Sequence, residues 1–589
     1  MAVKLFLDDH EVITDSSQEI KITRENPYFT LSDSYTLDVT IPLDILQNRK
    51  FFGSIQRIER KKEYQEFASR LCCANALLME GTARIVQSTE QAVKVQLACG
   101  VSALKMSSEQ EGTYIDSLIT EREGGGAILP QDLDYGPTVG ENHTGYGVPV
   151  LDNTNDTVVN LTTEQVIGFR RGFYTSECPR LTGLAALVAA RLGYTIDMSA
   201  LPAACEHIYV MSATHGNLGK KLPHWTVKEF FRQFQNFFGC TLVRTGNKSL
   251  RLVPLDSFVQ NPVTTITPLY EFQAEYSEED DAEGIMNRNV EFEMVNSDTE
   301  TIDEEILAQA QYTGEYNSAS AMSSAFNSDS EEVRMRKIYK LNGEMYVGWE
   351  VSEGTYELKR VAPFNPLKRF NGAESVKLKI APAFIQEDVE CEIWDGGTIS
   401  QSSMRYAFSI HVPSVANPYG LIKDWSWDGS QATASEDNKP TLQSLVEGSE
   451  TIVSEEDKAD VMSVAFVDGR AETVTARRVE GDGQTSHTIH LAFTDYNFKR
   501  QLSNNRSMWS LSLNELRGYD FYLGQLHRLT FRCSHQVKHI FRFLSDSIPE
   551  PTDVFLIHGK RFACEKIEAS IRDGNLDKLM TGYFYEITS

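Results

Sequence analysis

The chain has 589 residues, 41% apolar and 24% charged, a composition that supports several hydrophobic cores, suggests roughly three to five domains and excludes a disordered chain. Eighty-three acidic residues against 56 basic ones leave a formal charge of −27, whose mean field repels polyanions and argues against a nucleic-acid sheath. There is no run of about eighteen apolar residues, and Met1 to Leu5 leads into Asp8, Asp9 and Glu11 instead of a secretory core, so neither a membrane span nor classical export is expected.

Residues 1–105 read mainly as β, with strand-like alternation at 3–7, 20–23, 36–41 and 93–97. One helix is predicted over 62–79, where Phe67, Leu71, Ala74 and Leu78 recur at spacings of three and four before Gly81. Residues 106–160 are rich in Gly and Asn, including Gly124-Gly125-Gly126, and read as an interface loop or a mobile flap.

Residues 161–260 predict a small α/β domain. An apolar helix over 182–192 ends at Gly193, and Tyr194-Thr195-Ile196 resumes as an extended segment. A second helix starts near 223–226, where Thr226 and Glu229 fit a capping box, and runs to Gly239. Its Phe230, Phe234 and Phe237 read as core, while Phe231 and Phe238 widen the apolar face enough to meet a neighbouring domain or subunit. Thr245-Gly246-Asn247-Lys248 then signals a hairpin.

Residues 261–390 form a second β-rich domain with a polar Ser/Ala/Asn insertion at 316–330, and residues 391–589 form the C-terminal β-rich part. The predicted fold class is therefore multi-domain, β-rich α+β with an inserted α/β domain.

The chemistry-bearing motifs are sparse. No GxGxxG precedes a helix, and there is no GxxxxGK[ST], HExxH or CxxC, so neither a cofactor nor a catalytic centre is expected. Paired carboxylates of the glycosidase type leave no spacing signature among so many acids. Nine scattered cysteines suit a reducing cytoplasm.

Cys533, His535 and His539 offer three of four zinc ligands, but Arg532, Lys538 and Arg542 beside them disfavour a cation, and they read as ordinary strand residues. His487 and His490 near Asp482 and Asp495 outline an acid/base pair without a nucleophile. Trp425 and Trp427, in a turn-rich segment, are candidates to contact a partner or a glycan; packing beneath their own turn is the alternative. Acidic runs at 275–283, 298–305 and 447–460 read as solvated loops or as surfaces facing cations or partners.

One pattern of residues is more specific. Leu192-Gly193-Tyr194, then Leu222-Pro223-His224-Trp225-Thr226-Val227-Lys228-Glu229-Phe230-Phe231, then Phe237-Phe238-Gly239 and a hairpin resemble the central α/β part of tail hub and baseplate proteins of bacteriophages and prophages. Phe51-Phe52-Gly53 with Glu80-Gly81-Thr82-Ala83 is similar to the first hub domain of that family, a small β-barrel that helps close a ring. The segments from Ile557 to Phe562 and from Thr581 to Tyr585 resemble the closing β-domain of large tail proteins from prophages of gut Bacteroidetes.

The resemblance implies a homotrimeric structural hub at a tail tip, made in the bacterial host cytoplasm and assembled into the virion tail. It also implies other tail and baseplate proteins as partners, with possible transient passage of DNA. A tail-associated peptidoglycan hydrolase and a carbohydrate-binding surface protein are the alternatives.

Overall fold

The computed structural model describes residues 3–15, 17–29, 34–36, 38–53, 55, 66–74, 76–100, 102, 113–118, 148–154, 157–160, 168–169, 178–214, 218–246, 248–276, 290–294, 310–341, 344–352, 354–361, 374–394, 405–416, 425–427, 432–434, 460–496, 506–513, 518–533 and 537–588. Among these, strand Ile20–Glu25 lies antiparallel to strand Lys560–Arg572, with Ile20 opposite Ile571 and Glu25 opposite Lys566. That pairing joins the two ends of the chain in one 16-stranded sheet. Its main path runs Pro268–Tyr276, Val537–Leu544, Leu579–Thr588, Lys560–Arg572, Ile20–Glu25, Ser34–Thr36, Ala92–Ala98, Ala76–Ser88, Glu66–Cys73, Val3–Leu7, His10–Val12.

Strand alternation explains the core of this sheet. Leu5, Leu7, Ile20 and Ile22 from the first strands share one buried cluster with Phe543, Phe555, Ile567, Ile571 and Phe584 from the last. Each such side chain contributes about 1.5–3 kcal/mol on leaving water. Two buried polar residues bind the halves together. Arg24 Nη1 donates to the Ile548 carbonyl at 3.0 Å and its Nη2 to the Leu78 carbonyl at 3.1 Å. Asn26 Nδ2 donates to the carbonyls of Pro551 and Cys564 at 2.9 and 2.7 Å.

Residues 66–79, expected as helix, are instead strand Glu66–Cys73 and the start of strand Ala76–Ser88. Ser69, Leu71 and Cys73 alternate inward, and Val3–Leu7 pairs along the same residues from Cys73 to Ser69. A distant partner thus outweighs the local spacing of Phe67 and Leu71. Residues 62–65 lie outside the described residues.

The α/β elements form where their local signals place them. Helix Leu181–Arg191 is followed by strand Thr195–Asp197, which runs parallel to Ser249–Pro254 and extends the hairpin Cys240–Gly246/Ser249–Pro254. Thr226 Oγ1 caps helix Val227–Phe238 by accepting from Glu229 N at 3.2 Å, and Gly239 ends it at φ 56°.

All five phenylalanines of this helix are buried, and so are Gln233, Gln235 and Asn236 on its polar side. Gln235 Oε1 accepts from Leu242 N at 3.0 Å, and Gln233 Oε1 accepts from Lys379 N at 2.8 Å. The polar side therefore receives neighbouring backbone, leaving Lys228 and Arg232 exposed. Leu378, Ile380, Val464, Phe466, Phe493, Leu511 and Leu523 complete the same cluster, so later chain segments enclose the helix. Strand Ile208–Val210 adds to this by pairing antiparallel with Met462–Phe466, which runs parallel to Ile380–Pro382.

A seven-stranded sheet contains Arg405–Val415, Phe384–Trp394 and the hairpin Ala471–Arg478/Gln484–His490. A four-stranded sheet holds Tyr312–Tyr316 parallel to Lys337–Leu341, with helix Ala319–Ser328 between them. Much of the polar 316–330 tract is thus a helix, capped by Ser318, whose Met322 and Phe326 pack on Tyr339 and Leu341. The fold is mixed α+β, strand-rich, with several sheets. Among the described residues no helix is long and apolar enough to cross a membrane.

Candidate functional site

Trp425 and Trp427 lie on strand Trp425–Trp427, which pairs antiparallel with Ala432–Ala434, Trp425 opposite Ala434 and Trp427 opposite Ala432. Their side chains lie outside what the structure describes. So do residues 277–283, 298–305 and 447–459 of the acidic runs and residues 119–147 of the glycine-rich segment.

The zinc-like set is not gathered. Cys533 is paired to Ile587 in strand Leu579–Thr588, whereas His539 is paired to Phe584. Burial pushes the Cys533 thiol up to about 12 and lowers the pKa of His539, whose ring stacks on Phe541 at 5.8 Å. His535 lies outside the described residues, among which no group of three His, Cys, Asp or Glu residues is arranged to hold a metal ion.

The acids around His490 are committed elsewhere. Asp482 is exposed on a turn, while buried Asp495 accepts from Ser510 Oγ at 2.6 Å and from Tyr519 OH at 2.9 Å. His490 instead neighbours a buried charge cluster that local sequence signals do not disclose. The Arg506 side chain has no exposed surface and pairs with Asp468 and Glu472, whose side chains are 1% and 5% exposed. One guanidinium is thus shared by two buried carboxylates. Burial, then the Arg506 cation, lowers the pKa of His490. The cluster fastens the segment before Trp509–Ser510 to the hairpin Ala471–Arg478/Gln484–His490.

A second, part-buried pair anchors the start of the glycine-rich segment. His224 Nδ1 lies 3.0 Å from Asp116 Oδ2, and the Tyr114 ring stacks on His224 at 3.6 Å. Ile115 N donates to the Trp225 carbonyl at 2.9 Å, and Val227 N donates to the Thr113 carbonyl at 3.2 Å. Trp225 Nε1 donates to Asp460 Oδ1 at 2.9 Å, and Lys379 Nζ lies 2.6 Å from Asp460 Oδ2. A carboxylate-oriented imidazole is a general-base arrangement in outline. Here its carboxylate and stacking ring belong to one short docked segment, so the geometry is that of a clasp. His224 stands in the helix-start pattern of the sequence, but no local signal gives it a role, because Asp116 is 108 positions away.

A groove of about 480 Å³ lies between strand Leu579–Thr588 and the 3₁₀ turn Leu255–Gln260, lined by Phe531, Lys560, Arg561, Glu586 and Ile587 among others. Both its cations have partners. Lys560 Nζ pairs with Glu586 at 2.9 Å and Arg561 Nη2 donates to the Val259 carbonyl at 3.0 Å.

No protein-family model matches the chain, and no curated protein matches it. Solved structures similar to it include the 43 kDa tail protein of prophage MuSo2 from Shewanella oneidensis, at 8% identity and a TM-score of 0.33, over 99% of this chain and 97% of that one. A tail protein from Neisseria meningitidis MC58 is similar at 8% identity and a TM-score of 0.31, over 99% of this chain and 96% of that one.

Proposed function

We propose that this chain is a structural hub component of a phage or prophage tail tip or baseplate. In this reading it assembles as a homotrimeric ring through small β-barrel-like hub domains and connects the tail tube to distal tail parts. Other tail and baseplate proteins are its partners, DNA passes it transiently, and Trp425 and Trp427 contact a partner or a glycan. It is made in the host cytoplasm and built into the tail.

The observation that carries the reading is the state of the segment holding the family-like pattern. Tyr194, Leu222, Trp225, Phe230, Phe231, Phe237 and Phe238 are all buried in one cluster, and strands from the later chain close over them. These apolar residues of the pattern thus build a core that strands from several sheets share, which suits a structural role.

Co-expression with the neighbouring tail proteins, followed by electron microscopy of the purified particles, tests it. Threefold rings are expected; a chain that stays monomeric in that mixture ends the proposal.

A further inference from the structure

An outer strand exposes a row of unpaired N–H and C=O groups and is a template for another chain unless it is short, charged, interrupted by Pro or bulged. Nearly every outer strand among the described residues carries such protection. His10–Val12 and Thr157–Val159 have three residues each. Pro268–Tyr276 begins with Pro268, carries Glu271 and Glu275, and breaks register before Phe272. Thr355–Val361 carries Glu357, Lys359 and Arg360; Tyr312–Tyr316 carries Glu315; Cys240–Gly246 carries Arg244 and a register break. The two strands Val290–Met294 and Glu374–Leu378 are charged as well.

Strand Gln484–His490 is different. Its sequence, Gln-Thr-Ser-His-Thr-Ile-His, has seven residues with no Lys, Arg, Asp, Glu or Pro. It pairs with Ala471–Arg478 from Ala471 opposite His490 to Arg477 opposite Gln484 without a register break, and no described strand pairs with its other side. Gln484, Ser486 and Thr488 are exposed.

We infer that this edge pairs antiparallel with the same edge of a second copy of the chain, about a two-fold axis at His487. The strand is self-complementary in that register. Ser486 falls opposite Thr488, hydroxyl against hydroxyl; Thr485 falls opposite Ile489, β-branched against β-branched; Gln484 falls opposite His490. The hydroxyl pair is a favourable cross-strand pair, and no like charges face each other among the three. Even-numbered residues meet even-numbered ones, so the exposed faces of the two hairpins continue each other as one sheet across the axis. Two copies at −27 each repel, and the contact uses a strand that adds no charge to that repulsion. The interface is isologous, the ordinary form of a two-fold contact. It stands on the edge geometry alone, independently of the proposed tail role, and in a ring-forming chain it would join two rings.

Sedimentation velocity over a wide concentration range tests it, using wild type, the double variants Ser486→Lys/Thr488→Lys and Ser486→Glu/Thr488→Glu, and an equimolar mixture of the two variants. Both positions are exposed, and unchanged thermal unfolding of each variant establishes that it folds. The wild type should double in mass with concentration, each variant alone should lose that factor of two because like charges face across the axis, and the mixture should regain it. A threefold ring step would be unaffected, which separates this contact from the proposed hub assembly. Variants with undiminished mass would overturn the inference. So would a wild type that never doubles, and the edge would then belong to a strand of a different polypeptide.

Discussion

Arg24 Nη1 lies 2.7 Å from Glu550 Oε1, across 526 positions of sequence. The ion pair itself is minor, since Glu550 is more than half exposed. What matters is that the same guanidinium serves the buried carbonyls of Ile548 and Leu78, so one side chain ties strand Ile20–Glu25 both to strand Ala76–Ser88 and to the connection before strand Val554–Ile557.

Replacing Arg24 with Met should keep much of the stem packing and leave those two carbonyls without a donor. A loss of about 2–4 kcal/mol is expected, read as a lower denaturation midpoint at unchanged slope. Glu550→Gln should cost less than about 1 kcal/mol. Equal losses from the two variants would show that the carbonyls are not the point of the contact.

Gly239 is held at φ 56°, and a Cβ there would lie 2.7 Å from the Leu526 carbonyl oxygen. Gly559 sits at φ 80° with nothing within 4 Å of its Cβ position. Gly559→Ala should therefore cost only the left-handed strain, about 1–2 kcal/mol. Gly239→Ala should cost clearly more, because the backbone of the following segment must also move. Thermal unfolding of the two variants side by side checks the difference.

The contrast between local and distant signals explains what the sequence disclosed. Helix Val227–Phe238 was legible because Thr226, Glu229 and Gly239 mark its ends within a dozen residues. Its enclosure was not, because Lys379 and Pro27, which meet Gln233 and the neighbouring Thr241, lie elsewhere in the chain. The 62–79 region failed for the same reason, since its strand partner is Val3–Leu7. Nothing near Ile20 announces Ile571, and nothing near Arg506 announces Asp468 and Glu472.

Burial lowers the pKa values of His490 and His539 in the folded chain, with Arg506 adding to the effect at His490. The unfolded chain then binds protons at these sites first. Stability from keeping the two rings neutral is complete above the unfolded value near 6.5 and is lost as pH falls through the folded values. His490→Gln should flatten the decline that begins below about pH 6.5. A decline of the same slope in the variant would assign it to carboxylates instead.

Strand Pro268–Tyr276 leads into the acidic residues 277–283, and its last residue, Tyr276, is 79% exposed. If the run is peripheral in the assembly, limited proteolysis should cut at 275–283 without dismantling the particle, and replacing its acids with Gln or Asn should leave DNA delivery unchanged. Protection of the run, together with loss of delivery, would place it on a channel wall.

The buried cluster of Arg506, Asp468 and Glu472 makes a prediction in which the sign of the charge decides the outcome. Removing the cation takes from the two nearly fully buried carboxylates of Asp468 and Glu472 the guanidinium that faces them both. Arg506→Met should therefore cost about 3–5 kcal/mol, the range for breaking a buried pair. Glu472→Gln acts in the opposite sense. It removes one of the two carboxylates that share the Arg506 guanidinium, leaves Arg506 paired with Asp468, and keeps an amide oxygen able to accept from Arg506 Nε. Its cost should stay near or below 1 kcal/mol. Because the three groups touch, their effects should not add. In the Arg506→Met background, Glu472→Gln should recover part of the loss by removing a buried carboxylate that has lost its guanidinium. Denaturant titration of the two single variants and the double variant measures all three values. A larger loss from Glu472→Gln than from Arg506→Met, or strict additivity in the double variant, would mean that the cluster does not act as one electrostatic unit.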